Sequence, residues 1–213
     1  MRRMLFEKTG KAIWMSHLDT MRVMQRAFRR AGVLLHHSQG YTPRAYVSML
    51  IPLNVGVESS CEIMEYELDT ELVITPEEMN RVLPEGVRIL SVYESDRKAK
   101  ELTYLKAELI LEYDHEVPDV EKIEKLLDSP ELIVEKRTKR GMEDRDIRPM
   151  LRDYELQKEE HAIKILCTVC AQNPALNPLL LVSAVERYLP DCKPDFAKCR
   201  RLEIYDRNGD IFR

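Results

Sequence analysis

Hydrophobic and polar positions alternate in several short segments of the first hundred residues. Because a period of two places successive side chains on opposite faces of a strand, each segment predicts a half-buried strand. Glycine and proline residues mark the gaps between the segments, as is typical of turns and loops. The alternation is clear at residues 2–8 and 61–69, and further strands are predicted at 11–15, 45–52 and 87–94.

Residues 16–32, which follow the second predicted strand, have helical periodicity instead. Ser16 is a favoured N-cap residue with Asp19 three positions later, and Gly32 is a suitable residue just past a helix end. A second helix is predicted to start at Thr75-Pro76 and to close before the turn at 84–86. The apolar stripe predicted for the first helix is Leu18, Met21, Met24, Phe28 and Ala31.

The main elements of the first half therefore follow the order strand-helix-strand-strand-helix-strand, which is that of a ferredoxin-like unit. The second half repeats the order, so we predict an α+β protein of two tandem ferredoxin-like (βαββαβ) units, residues 1–96 and 101–206, with a frayed tail at 207–213. One continuous α+β sheet is the alternative architecture. The second-half strands are predicted at 102–114, 131–138, 161–170 and 199–206, and the helices at 118–127 and 173–189.

Composition favours a cytoplasmic protein without a membrane span. No segment approaches the ~18 consecutive apolar residues that a spanning helix needs, and the N-terminal residues lack the apolar core of a signal peptide. The five scattered cysteines are typical of reduced thiols. Cys167 and Cys170 form a CxxC on a predicted strand, where their side chains point to opposite faces, so no metal is predicted. A zinc site with Cys192 and Cys199 is the alternative.

Charge is unevenly distributed along the chain. Residues 1–50 hold nine Lys and Arg against two acidic residues, a net charge of +7 in a protein whose total is −4. This asymmetry predicts a basic surface for an anionic partner. The alternative is that the arginines pair with acidic residues elsewhere in the chain.

The predicted first helix carries much of this positive charge. Four arginines lie at i, i+4, i+7 and i+8 and form one stripe, separate from the apolar one. Arginine binds phosphate or carboxylate through two parallel hydrogen bonds, so the stripe predicts an anion-binding face, although Asp19 can pair with the first arginine. A structural or partner-facing role is the alternative. The stripe consists of Arg22, Arg26, Arg29 and Arg30.

His17 lies in the first turn of the same helix, where free N–H groups favour anions. It is a candidate to donate a hydrogen bond to a phosphate or to act as an acid or base, or it simply caps the helix turn. The loop after the helix adds hydrogen-bonding groups, an aromatic ring and a further charge, with a plain turn as the alternative. The candidates in this loop are Ser38, Gln39, Gly40, Tyr41, Pro43 and Arg44.

A charged segment of the second half, residues 136–153, predicts a long mobile hairpin or loop that contacts a partner. Its arginines and lysine would extend the basic surface, although nearby acidic residues offset much of their charge. These basic residues are Arg137, Lys139, Arg140, Arg145 and Arg148.

Several motifs resemble those of the radical-SAM-linked family of unknown function, which occurs alone or appended to radical SAM proteins. They are S-H-L-D at 16–19, R-A-F-R-R-A-G at 26–32, S-Q-G-Y-T-P at 38–43, P-L-N-V-G at 52–56, Glu62, L-P-E-G at 83–86 and D-R-D-I-R-P at 144–149. The resemblance implies a radical SAM partner without an established activity. By this resemblance, the expected site positions are Ser16, His17, Asp19, Arg30, Gln39, Gly40, Pro43 and Glu62.

We favour a non-catalytic accessory protein that binds RNA or another phosphorylated substrate through its basic N-terminal face, without a cofactor. A doubled ferredoxin-like order is also similar to that of RNA-processing proteins of CRISPR systems, but their C-terminal glycine-rich loop has no counterpart at 192–201. One alternative is an RNA-processing or transferase enzyme with His17 as acid/base. Another is a protein-interaction adaptor whose arginines meet an acidic protein surface.

Overall fold

The computed structural model describes residues 1–138 and 141–213, and both helices and strands occur along them. The chain has the predicted α+β class, and it divides into two compact units. The first unit comprises Met1–Glu101 with Phe212–Arg213, and the second comprises Leu102–Ile211.

The first unit contains four strands and two helices. Its sheet has the order β4-β1-β3-β2, and every neighbouring pair is antiparallel. A register of Met4 opposite Met64 places both side chains on the sheet face that the first helix covers. The elements are β1 Arg2–Lys8, α1 His17–Arg30, β2 Val47–Met49, β3 Val57–Tyr66, α2 Pro76–Asn80 and β4 Val87–Glu94.

One core lies between this sheet and α1. Phe6 of β1 and Met24 and Phe28 of α1 are completely buried in it. The Phe28 and Tyr66 rings pack with their centroids 5.1 Å apart. The alternation in β1 and the helical spacing in α1 thus bury their apolar sides against each other.

Residues 11–15, predicted as a strand, instead form most of a 3-10 helix, Gly10–Trp14, and its C-cap residue Met15. Hydrogen bonds from the Ala12 amide to the Thr9 carbonyl (3.1 Å) and from the Met15 amide to the Ala12 carbonyl (3.0 Å) coil the segment. The turn packs on Gly86, where an added Cβ would lie 2.4 Å from the Thr9 oxygen and 2.8 Å from the Ala12 Cβ. The prediction was wrong because a five-residue apolar run does not by itself distinguish a strand from a helical turn.

The second unit has the same order of elements, with a hairpin inserted. Its sheet has the order β10-β5-β9-β8, and the neighbouring strands are antiparallel. Strands β6 and β7 form a separate two-stranded sheet. The elements are β5 Leu102–Glu112, α3 Val120–Leu127, β6 Ile133–Thr138, β7 Gly141–Asp146, β8 Leu151–Lys158, β9 Ala162–Cys170, α4 Leu179–Tyr188 and β10 Phe196–Asp206.

The charged segment of the second half contains more regular structure than its composition indicates. It supplies the end of β6, the whole of β7 and the first three residues of β8, and β8, rather than the strand predicted at 131–138, takes the edge position beside β9. That predicted strand is present as β6 but pairs with β7. An edge strand tolerates charged side chains because one of its sides faces water, so β8 lacks an apolar signature.

The tail predicted to be frayed is ordered by local and long-range contacts. The Asp206 Oδ1 accepts hydrogen bonds from the amides of Asn208 (2.8 Å) and Asp210 (3.1 Å). Phe212 is completely buried and belongs to the first unit. Within the described ranges, no helix is both long enough and apolar enough to cross a membrane.

Candidate anion-binding site

Local hydrogen bonds define both ends of α1. The Ser16 hydroxyl accepts from the Asp19 amide (3.1 Å) and donates to the Asp19 carboxylate (2.7 Å). At the other end, the amide of Gly32 donates to the Arg29 carbonyl (3.1 Å) and that of Val33 to the Phe28 carbonyl (2.9 Å). This is a Schellman motif, and Gly32 adopts the positive φ of 76° that it requires. The predicted limits of the helix are confirmed.

The arginine stripe lies on the side of α1 opposite the core. The buried residues of the helix are Thr20, Met24, Ala27 and Phe28. At ~100° per residue, the middle of the arginine stripe points almost directly away from the middle of this buried side. All four arginines are exposed. They therefore face solvent over an axial length of ~12 Å.

The four arginines differ in the groups that stabilise their positive charge. Arg22 forms an ion pair with Asp19 (2.9 Å), and hydrogen bonds from Ser16 and then Arg22 lower the pKa of that carboxyl. Arg29 and Arg30 occupy the last turn, where the helix dipole favours cations. Among residues 1–138 and 141–213, neither they nor Arg26 form an ion pair or a side-chain hydrogen bond. Among the four arginines, only Arg26 has neither a carboxylate partner nor a position in the last helix turn that would stabilise its charge.

Leu18 lies with the arginines rather than in the core, contrary to the predicted apolar stripe. It is 64% exposed and precedes Arg22 by four residues and Arg26 by eight, so the three side chains share one side of α1. Met24 and Phe28 of the predicted stripe are buried, and Met21 and Ala31 are half-buried. Thr20 and Ala27 complete the packed side because small side chains allow close approach to the sheet.

His17 lies away from the arginines. It precedes Thr20 by three residues and Met24 by seven, which places it on the sheet-facing side of α1. Its Nδ1 is buried without a hydrogen-bond partner among the described residues. The ring therefore belongs to the packing below the helix start rather than to the arginine face.

The loop candidates lie beyond the other end of α1. Bridges pair Leu35 with Leu68 and His37 with Ala45, so the segment forms a small hairpin. Within it, the Ser38 amide donates to the Arg44 carbonyl (2.9 Å) and the Arg44 amide to the Ser38 hydroxyl (3.0 Å). These bonds hold the exposed tip at Gln39, Gly40, Tyr41, Thr42 and Pro43.

The base of this hairpin is far from His17. The helix axis between His17 and Arg30 is ~20 Å long, and the hairpin begins five residues after the helix ends. The arginines lie between the two. His17 and the loop candidates therefore do not form one constellation.

Glu62 is placed inside the first unit. It is 1% exposed on β3 and lies opposite Phe6 in the register of β1 and β3. Lys8, which the sequence analysis did not identify, is completely buried near it, and its Nζ donates to the Met15 carbonyl (2.7 Å). The signal for Lys8 was its inward position in the alternation of Met4 and Phe6. These buried charges do not contribute to the exposed arginine face.

Arg145 and Arg148 belong to the second unit. Arg145 is exposed on β7 opposite Val134. Arg148 has structural contacts, because its guanidinium donates to the Leu151 carbonyl (3.0 Å) and its amide donates to the Asp146 carboxylate (3.0 Å). The remaining predicted basic positions, the Arg137 side chain with Lys139 and Arg140, lie outside the described residues.

The cysteines are five free thiols. Cys167 and Cys199 lie on β9 and β10, and burial raises the pKa of each thiol to about 12. Cys170 is half-buried on β9. Across 1–138 and 141–213, no group of three or more His, Cys, Asp or Glu residues could hold a metal ion.

A pocket of 220 Å³ beside β2 and β3 has the opposite character to the arginine face. Its lining includes the acidic residues Glu65 and Glu67 and the hydroxyl-bearing residues Tyr46, Ser48 and Tyr66. Glu65 is also bound to the buried Arg3, with an N–O distance of 2.7 Å. None of the residues lining this pocket belongs to the arginine stripe.

These features define a class of protein: an α+β protein of two units with the same element order, the first of which presents an arginine-bearing helix to solvent. The chain belongs to the DUF2344 family, described as an uncharacterized protein conserved in bacteria, whose model matches residues 2–178. No curated protein matches the sequence.

The fold is similar to that of a chain in the crystal structure of a Cbf5-Nop10-Gar1 complex. The TM-score is 0.52 at 11% sequence identity, over 95% of this chain and 48% of that one. This chain therefore spans about half the length of the chain it matches. At this identity the likeness concerns the fold alone.

Proposed function

We propose that this protein is a non-catalytic binding module that holds RNA, through its phosphates, on the outward face of α1. The observation that carries the proposal is the exposed, ion-pair-free state of Arg26, Arg29 and Arg30 among the described residues. Like charges four residues apart destabilise a helix by a few tenths of a kcal/mol, as for Arg22 with Arg26 and Arg26 with Arg30. A bound polyanion would remove this repulsion.

The identity of the basic residues also supports phosphate as the ligand. A guanidinium forms two parallel hydrogen bonds to a phosphate and remains charged at all physiological pH values. The net charge of +7 over residues 1–50 would attract a polyanion despite the negative total charge of the protein. We place this function in the cytoplasm, in keeping with the five free thiols.

We further propose that the module serves a radical SAM protein acting in trans. The support for this partner is the set of motifs in residues 16–56 that resemble the radical-SAM-linked family. We also propose that both units are ferredoxin-like. In the first unit β1 lies between β3 and β4 with β2 at the edge, and in the second unit β5 lies between β9 and β10 with β8 at the edge.

A filter-binding salt titration with a structured RNA that also carries single-stranded loops tests the proposal. Affinity should fall as salt rises, with a slope in log K against log salt of ~0.7–0.9 per phosphate contact. The double reversal Arg26→Glu/Arg30→Glu should weaken binding to all sequences similarly and flatten the slope by about two contacts.

The matched control is Arg81→Glu/Arg88→Glu, which makes the same change in net charge at exposed positions elsewhere in the first unit. Binding that is absent at low salt, or that both double variants weaken equally, contradicts the proposal. Retention of a radical SAM partner after nuclease treatment, with loss only in Arg26→Glu/Arg30→Glu, would identify a protein adaptor instead.

A further inference from the structure

Trp14 is the only tryptophan of the chain, and it is 66% exposed at the end of the 3-10 helix that precedes α1. The surrounding backbone is held in place. The Met15 amide donates to the Ala12 carbonyl (3.0 Å), and the Gly56 amide donates to the Ile13 carbonyl (2.9 Å). The indole ring passes 3.6 Å from where a Gly56 Cβ would lie. A large ring is thus supported by ordered backbone while most of its surface faces water.

Trp14 is close in the chain to the arginine stripe. Leu18 follows it by four residues, so their Cα atoms are at most ~14 Å apart, and Leu18 lies on the arginine side of α1. Beyond the other end of the helix, Tyr41 is fully exposed at the hairpin tip. The charged stripe is therefore bracketed along the chain by two exposed aromatic rings.

We infer that the nucleic acid bound by α1 is single-stranded, and that an unpaired base stacks on Trp14 while the arginines hold the backbone. This inference rests on the proposed function. Proteins that bind single strands combine a basic track with exposed aromatic rings, because every base has a face that can stack. A duplex keeps its bases stacked on one another and would leave the indole unused.

A protein partner would fit this surface less well. Arginine, tryptophan and tyrosine are enriched in protein interfaces as well, but such an interface has a contiguous apolar core, whereas here four arginines separate the exposed apolar side chains at the two ends of the helix. Stacking of one or two bases requires only an exposed ring such as that of Trp14.

The single tryptophan makes the test direct, because all tryptophan emission comes from Trp14. The protein is titrated with an unstructured RNA of about 12 nucleotides, with a duplex of equal length and with inorganic polyphosphate, which carries charge without bases. Binding is followed independently through the anisotropy of a labelled RNA and by competition. The single strand should quench Trp14 emission, and polyphosphate should compete for the site without quenching it.

Two variants separate stacking from charge. Trp14→Leu should lose at least about fivefold in affinity for the single strand, and Trp14→Phe should lose less, because a base stack contributes ~1–3 kcal/mol. Both should bind polyphosphate like the unmodified protein, and their circular dichroism should be unchanged.

The outcomes distinguish this inference from the proposed function. If no polyanion binds in a salt-dependent manner, the proposed function fails. If the duplex and polyphosphate bind as tightly as the single strand, and Trp14→Leu changes nothing, then the face binds phosphate and the inference of single-strand stacking is wrong.

Discussion

Replacing Phe212 with alanine should destabilise the first unit strongly, although it is the penultimate residue of the sequence. The ring is completely buried between two guanidinium groups. Its centroid lies 5.1 Å from the Arg3 Cζ and 4.6 Å from the Arg97 Cζ. Arg3 is itself completely buried, so the first of these cation–π contacts is shielded from water.

The network around the ring sets the size of the effect. Arg3 also donates to Glu65 (2.7 and 3.1 Å), to the Ser95 hydroxyl (2.9 Å) and to the Arg97 carbonyl. The Ser95 hydroxyl in turn donates to the Arg213 carbonyl (2.9 Å). Truncating a buried phenylalanine to alanine costs about 3–5 kcal/mol, which is a large share of the 5–15 kcal/mol typical of a folded protein.

Urea unfolding at 25 °C measures this loss, with circular dichroism for the whole chain and Trp14 emission for the first unit. Phe212→Leu keeps most of the apolar volume but removes the ring, so it should cost about 1–2 kcal/mol. Phe196→Ala is the control at a residue that is 53% exposed, and it should stay within about 0.5 kcal/mol of the unmodified protein. If Phe212→Ala unfolds at the same urea concentration as the control, the tail is frayed and the reasoning is wrong.

Two further predictions concern the helix cap and the thiols. Thr75→Ala should cost about 1 kcal/mol in urea unfolding, because the Thr75 hydroxyl accepts from the Glu78 amide at the start of α2. Hydrogen bonds from the Thr75 amide and then its hydroxyl lower the pKa of Glu78 below its ordinary 4.5, so its stabilisation is present above pH 4.5 and is lost as pH falls. Glu78→Gln should remove that part of the acid dependence, and an unchanged acid limb would contradict the assignment. Iodoacetamide at pH 8 should modify half-buried Cys170 first. It should spare Cys167 and Cys199, because burial raises the pKa of each thiol to about 12. Mass spectrometry measures the labelling, and equal labelling of these two thiols before and after addition of urea would refute their burial.

Local signals in the chain were sufficient for the elements whose limits depend on neighbouring residues. The start and end of α1 follow from Ser16 and Gly32, because a side-chain cap and a positive φ are determined within a few residues. Strand β4 matches its predicted range, since a run rich in β-branched and aromatic residues after the turn at 84–86 favours a strand. The arginine stripe was also predictable, because helical spacing places all four side chains on the side away from Met24 and Phe28.

Long-range packing decided the features that local patterns could not define. Which strand lies beside β9 depends on pairing energies between distant segments, so the charged β8 was not predicted. The segment of β6 was predicted as one of the four strands of the second unit, but it pairs with β7 in a separate sheet. The burial of Phe212 requires the distant guanidiniums of Arg3 and Arg97. His17 and Leu18 are neighbours in the chain, yet one faces the sheet and the other faces solvent. Which of two neighbouring side chains becomes buried depends on how the helix is rotated against the sheet, and the whole packed core determines that rotation.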